Sequence, residues 1–152
     1  LLRFQPLEDD VMAALLRQNL PEAADREIAA LVRIGQGAPG KALSYGALGL
    51  AAIEDQLRTI AESGDKDNRL RAELSKTMAL AAERPRFEAM LSLSAALAAE
   101  YARTARGDAL GRALAVRDEV IEIARFAISS SEDAATVTFN VTGALAGLAT
   151  PR

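Results

Sequence analysis

Apolar residues recur along the chain at helical spacing, and the runs are separated by polar or glycine-containing breaks. Phe4-Gln5-Pro6-Leu7 reads as extended, because Pro6 biases the residue before it away from helix. Asp9 and Asp10 favour a helix start, and Val11, Leu15 and Leu16 give a short apolar face. A second helix is expected from Asn19-Leu20-Pro21, with Asn19 or Leu20 near its cap and Pro21 in its first turn. Its face is Ala24, Ile28, Leu31 and Val32, and Gly35 and Gly37 stop it. A third opens at Pro39 and carries Leu43. Gly46 and Gly49 then oppose continuation, at about 1 kcal/mol each relative to alanine. The boundary between two lobes is placed there, near Leu48. One helix running straight through to Ile60 is the competing reading, since Leu50, Ile53, Leu57 and Ile60 keep the period.

Five helices are expected in the second lobe, the first ending at Ser63-Gly64-Asp65. The next runs from about Asp67 to Ala82, with Leu70, Leu74, Met78 and Ala81 on one face. Pro85 begins a helix whose seam is Phe87, Met90, Ser94, Leu97 and Tyr101. Gly107 breaks it, and Asp108 is the expected N-cap of a helix over about Ala109 to Ser129. That helix is apolar on two adjoining faces: Leu110, Leu114, Ile121, Ala124 and Ile128, then Val116, Val120, Ile123 and Ala127. So wide a face suits several neighbours, within the bundle or in an assembly. Ser131, ahead of Glu132 and Asp133, is the capping signal for the last helix. Thr136, Val137, Thr138, Phe139, Val141 and Thr142 are β-formers, yet Ala134, Val137, Val141, Leu145 and Leu148 fit a helix and no sheet is at hand. The expectation is an all-α chain with three helices in residues 1–48 and five in 49–152.

Composition narrows the chemistry. Of 152 residues half are apolar and only 4% aromatic, which suits helices packed through small side chains. Cysteine and histidine are absent, which removes thiol catalysis, disulfides, Cys/His zinc sites and imidazole acid–base chemistry. A net charge of −3, from 18 basic and 21 acidic residues, creates no strong field toward nucleic acid or acidic lipid. No run approaches the roughly 20 apolar residues that span a bilayer. A cytoplasmic location is expected, with no cofactor and no membrane contact. The opening Leu1-Leu2-Arg3-Phe4 lacks an initiator methionine and is read as a cut inside a longer protein.

The candidate reactive groups read as structural. Asp9/Asp10, Asp118/Glu119 and Asp118/Glu122 have the composition of carboxylate dyads but mark helix starts or a solvated face. Ser129 to Ser131 lack an activating base, so capping is expected of them. Arg69, Arg71, Lys76, Arg84 and Arg86 bracket one helix, while Arg103, Arg106, Arg112 and Arg117 surround the Gly107 turn. Together they could contact phosphate, but acids are interspersed and no stacking aromatic lies among them. Any DNA contact is expected to be weak.

The most specific motif is Ile34-Gly35-Gln36-Gly37-Ala38-Pro39-Gly40-Lys41-Ala42-Leu43. It is not a phosphate-binding P-loop, because alanine follows Lys41 and a helix precedes the glycines. Together with the opening RFQPL and LEDDVMAALL, it resembles the lid of bacterial clamp-loader AAA+ proteins, and most of all the delta-prime family of DNA polymerase III. In that family the segment reads GSPGxAL; Ala38 stands here where serine is usual. Leu50 onward is similar to the family's helical collar in length and helix count. The resemblance implies an AAA+ lid in 1–48 and a collar in 49–152. It also implies a non-catalytic stator that assembles with delta and gamma/tau subunits into a hetero-pentamer loading the sliding clamp onto primed DNA. Active relatives carry a GSxRxAL-type segment whose arginine reaches the γ-phosphate. Matching the flanks puts Gly40 at that position and Lys41 one residue, about 100°, further round. The resemblance thus points to Gly37, Ala38, Pro39, Gly40 and Lys41 as a lid that does not support hydrolysis. The broad apolar helix faces would be subunit contacts, and Arg103, Arg106, Arg112 and Arg117 their polar rim. Two rivals stay open: the same region of a hydrolysing AAA+ subunit, and an independent nucleic-acid-binding helical domain.

Overall fold

In a computed structural model the described residues are 5–80, 83–130 and 132–149, and they form helices and turns without a strand. Among them run α1 (Asp9–Asn19), α2 (Asp25–Gly35), α3 (Pro39–Ala47), α4 (Leu50–Ser63), α5 (Arg69–Met78), α6 (Arg84–Thr104), α7 (Asp108–Ser129) and α8 (Ala134–Ala146). The chain divides into two compact units, Leu1–Asp55 and Gln56–Arg152, with the division inside α4. The expected boundary near Leu48 lies at the turn between α3 and α4. The single helix through to Ile60 does not form, because Leu48 ends α3 and Gly49 takes a positive φ of 65°.

In the first unit α1, α2 and α3 pack on one another. The expected face of α1 needs correction: Met12 and Leu16 are fully buried, whereas Val11 is 52% exposed. The second helix also starts later than the sequence suggests. Asn19 is the last residue of α1, where its side-chain amide donates to the Leu15 carbonyl, and the Leu20 amide closes the helix on Leu16. Pro21 and Glu22 form a turn, and Ala24 precedes α2. Ala24 is therefore exposed, while Ile28, Leu31 and Val32 make the buried face as expected. The Arg33 guanidinium binds both oxygens of Glu54, at 3.2 and 2.7 Å, and reaches Asp55 at 3.3 Å. Arg26 meets the other Asp55 oxygen at 2.7 Å. Four charged residues thus tie α2 to the start of α4 by charge-assisted bonds.

In the second unit α6 packs on α7, and α8 packs on α5, α6 and α7. Phe87, Met90, Ser94 and Leu97 are buried along α6, with the Ser94 hydroxyl returned to the Met90 carbonyl at 2.9 Å. Tyr101, at the end of this seam, is half-buried. Its phenol is held above its ordinary range by burial and by Glu62 and Glu100, against the opposing pull of Arg58. α5 spans only Arg69–Met78, shorter than Asp67 to Ala82; Ala81 and Ala82 lie outside the described residues. Asp108 is the first residue of α7 rather than its cap. Gly107 holds the cap position, with φ 56°.

The β-forming stretch is helical for a physical reason. Thr138 and Thr142 are fully buried, and each hydroxyl donates to the carbonyl four residues back, at 2.7 Å. The polar atom is satisfied within the helix, so the methyl can join Val137, Val141 and Leu145 in the core. The described cap of α8 is Asp133; Ser131 lies outside the described residues. The Asp133 carboxylate accepts from the amide and hydroxyl of Thr136, both at 2.9 Å, which lowers its pKa below the ordinary aspartate range.

That shift fixes a sign. A carboxyl whose folded pKa is depressed stabilises the fold above the ordinary aspartate range and loses that contribution as pH falls through the folded value. Asp133→Ala should therefore lower the thermal midpoint at pH 7. The gap to the unsubstituted chain should close as acid protonates the carboxylate, read by circular dichroism across a pH series.

Candidate functional site

The α2–α3 junction is built by close backbone approach. A Cβ on Gly35 would lie 2.8 Å from the Met12 methyl and 2.9 Å from Ala42 Cβ, so α1, α2 and α3 meet over that residue. Gln36 turns left-handed at φ 50°, ψ 46°, and its amide still reaches the Val32 carbonyl. Gly37 follows with φ 78°, and its carbonyl accepts from the Leu7 amide at 2.9 Å. A Cβ there would sit 2.4 Å from Pro6 Cβ and 2.8 Å from the Leu7 nitrogen. The extended segment before α1 is thereby clamped against the junction. Arg3 and Phe4 of the same motif lie outside the described residues.

Ala38 is extended, and Pro39 opens α3 with the φ that proline favours. Ala38 donates to Gly35 and Ala42 donates back to Ala38, so Gly40 and Lys41 carry the helix-start amides that lack an intrahelical acceptor. Gly40 is exposed with nothing near a notional Cβ, and Lys41 lies along α3, its ammonium 5.7 Å from the Tyr45 ring centre. A cavity of about 480 Å³ lies between Gln5, Pro6 and Leu7 on one side and Gln36 to Pro39 on the other. None of those residues is charged. The pocket offers apolar contact and two side-chain amides, and it holds no acid, base or nucleophile.

Of the four arginines around Gly107, two have local partners. Arg106 Nη1 donates to the carbonyls of Arg103 and Ala105, closing the end of α6. Arg112 and Arg117, five residues apart, leave α7 about 140° apart. Arg117 is paired with Asp118 at 2.8 Å. Of the other basic group, Arg84 pairs with Glu88 and Arg86 with Glu83, both at 2.8 Å, Arg69 lies 3.9 Å from Asp67, and Lys76 is exposed. Arg71 turns inward, its side chain 16% exposed, and Arg86 also buries its Nε among the described residues. The carboxylates Asp9, Asp10, Asp118, Glu119 and Glu122 are exposed. The hydroxyls of Ser129 and Ser130 donate to carbonyls of the last turn of α7.

The two apolar faces of α7 have different fates. Val116, Val120 and Ala127 are buried and Ile123 is half-buried, whereas on the other face Ala124 is buried, Leu110, Leu114 and Ile121 are half-buried, and Ile128 is 64% exposed. The second group forms a flank stripe along most of the helix, with Arg117 in its middle. Phe126, on the other flank, is 59% exposed. Sequence patterning located both faces but could not say which one the bundle leaves open.

Two substitutions separate shape from side-chain chemistry at the junction. Gly37→Ala should lower stability by more than about 1–2 kcal/mol, because it adds left-handed strain to a backbone clash. Gly40→Ala should be neutral or stabilise by up to about 1 kcal/mol, since open space surrounds a helical glycine. Urea midpoints of the two variants measure both.

The chain matches no protein-family model, no curated protein and no solved structure.

Proposed function

We propose that this chain is a non-catalytic assembly module, comprising the AAA+ lid and collar of a delta-prime-type subunit of the DNA polymerase III clamp loader. The observation that carries the reading is the flank of α7 left open by its own bundle. Ile128 is exposed and Leu110, Leu114 and Ile121 are half-buried along the same flank, and an apolar stripe that its own bundle does not fully cover supports an association surface. The junction agrees with it. Gly40, at the position where active relatives place arginine, supplies no charge, and the neighbouring cavity is bounded by uncharged residues. A segment built from backbone approach transmits shape; it does not compensate a triphosphate.

In this reading α1, α2 and α3 form the lid, and the helices that follow form the collar. The partners are the delta and gamma/tau subunits, and contact with the sliding clamp runs through the assembled ring. Among the described residues no helix is long and apolar enough to cross a membrane, so association through lipid-spanning helices is not part of the proposal.

Ile128 tests the proposal because its exposure makes it dispensable for folding. The full-length protein should co-elute with delta and gamma/tau subunits on size exclusion. Ile128→Asp should weaken the complex by about tenfold or more, corresponding to loss of one buried anchor, with unchanged helicity. Failure to form any complex would refute the assignment. ATP turnover abolished by Lys41→Ala would instead place the chain in a hydrolysing AAA+ subunit.

A further inference from the structure

A second cavity lies wholly within the second unit, where α5, α7 and α8 come together. Its volume is about 470 Å³, inside the range of about 300–1,000 Å³ typical of small-molecule sites. Arg71 of α5 forms one wall, Val116, Glu119 and Ile123 of α7 another, and Phe139, Asn140 and Gly143 of α8 the third.

The guanidinium of Arg71 is the unusual group. Its side chain is only 16% exposed and lies over the Phe139 ring, 4.5 Å from the ring centre. Its ion-pair partner, Asp65, is already engaged: one carboxylate oxygen accepts from the Leu70 amide at 3.2 Å and the other from the Arg71 amide at 3.0 Å. Arg71 Nε stands 3.7 Å from Asp65, beyond hydrogen-bond distance, and is buried without an acceptor among the described residues. Nη2 donates to Asn68 Oδ1. Nη1 has no acceptor among the described residues. A guanidinium carries five N–H donors, so most of this one's capacity is unspent.

α8 makes room for that nitrogen. A Cβ on Gly143 would lie 2.5 Å from Arg71 Nη1, so that nitrogen rests against α8 where the chain has no side chain. A carboxylate seated on Nη1 would supply the missing acceptor through a charge-assisted bond.

The second charge in the cavity defines the ligand further. Glu119 of α7 lines the same cavity as Arg71, so the cavity carries a carboxylate besides the guanidinium, and Asp65 stands 3.7 Å from Arg71 Nε. A bare anion would enter an environment that repels it. A ligand with its own cationic group would not, and Val116 and Ile123 offer apolar surface to its body. We propose that this cavity binds a small zwitterion of the α-amino-acid type, with its carboxylate on Arg71 Nη1, its ammonium toward Glu119 and its side chain on Val116 and Ile123. The proposal does not depend on the assembly reading.

The test is a titration of the ¹⁵N-labelled chain with L-leucine, following the amides of Asn140 and Gly143. Saturable shifts with a dissociation constant of about 1–10 mM are expected, and L-leucinamide and 4-methylpentanoate, each lacking one charge, should bind about tenfold more weakly. Glu119 is exposed, so Glu119→Gln should fold normally, and it should reverse the order by favouring 4-methylpentanoate over L-leucine. Gly143→Ala, which displaces the Arg71 guanidinium, should weaken L-leucine binding; if it fails to fold, the Glu119→Gln comparison still decides. The proposal is overturned if L-leucine gives no saturable shift up to about 50 mM. It is equally overturned if all three probes behave alike, if Glu119→Gln leaves their order unchanged, or if inorganic phosphate binds more tightly than L-leucine.

Discussion

Helices poor in aromatic residues can bury enough surface only by coming close together, and that closeness is set by where glycine and alanine stand. In the first unit the constraint is concentrated at Gly35. Its missing Cβ leaves space for the Met12 methyl and Ala42, and three helices share the gap. Two residues on, the Gly37 carbonyl holds the Leu7 amide, so the segment before α1 is fixed by the same turn. In the second unit the Arg71 guanidinium of α5 lies where a Cβ on Gly143 of α8 would be.

This packing also explains how the molecule divides its charges. Where helices meet, ionic groups are retained only with several bonds, as Glu54 is with Arg33 and Asp65 is with two backbone amides. At the surface, arginines pair along their own helices, as Arg84 does with Glu88, and such pairs contribute little. A phosphate-binding face needs cations that converge. Around Gly107, Arg112 and Arg117 leave α7 about 140° apart, and Arg84 and Arg86 are held by Glu88 and Glu83.

The helical class was legible because the period of apolar residues persists from Ile28 to Leu145. The turn at Gly49 and the end of α4 at Ser63 were legible from glycine. Errors arose where a polar residue has two local uses. Asn19 is a good N-cap by type, but its amide bonds back to Leu15 and it finishes a helix instead. Asp108 likewise became a first-turn residue after Gly107 took the cap. The Thr136–Thr142 stretch misleads by propensity alone, since i−4 bonding of buried hydroxyls is invisible without knowing the backbone. The Arg33–Glu54–Asp55 cluster and the inward turn of Arg71 left no sequence signal, because they join residues far apart whose types are common on surfaces. The junction motif was found from sequence, but its mechanical basis, the clamp on Pro6 and Leu7, was not.

In the proposed function the flank of α7 is an association surface and the α2–α3 junction a fixed shape without nucleotide chemistry. Hydrogen–deuterium exchange of the full-length protein, alone, with delta and gamma/tau subunits, and with ATP, tests both halves together. Slowed exchange is expected between Leu110 and Ile128 when the subunits are added, and no change between Gly35 and Leu43 when ATP is added. Unchanged exchange along α7 in the presence of the subunits, or ATP-dependent protection at the junction, would contradict the proposed function.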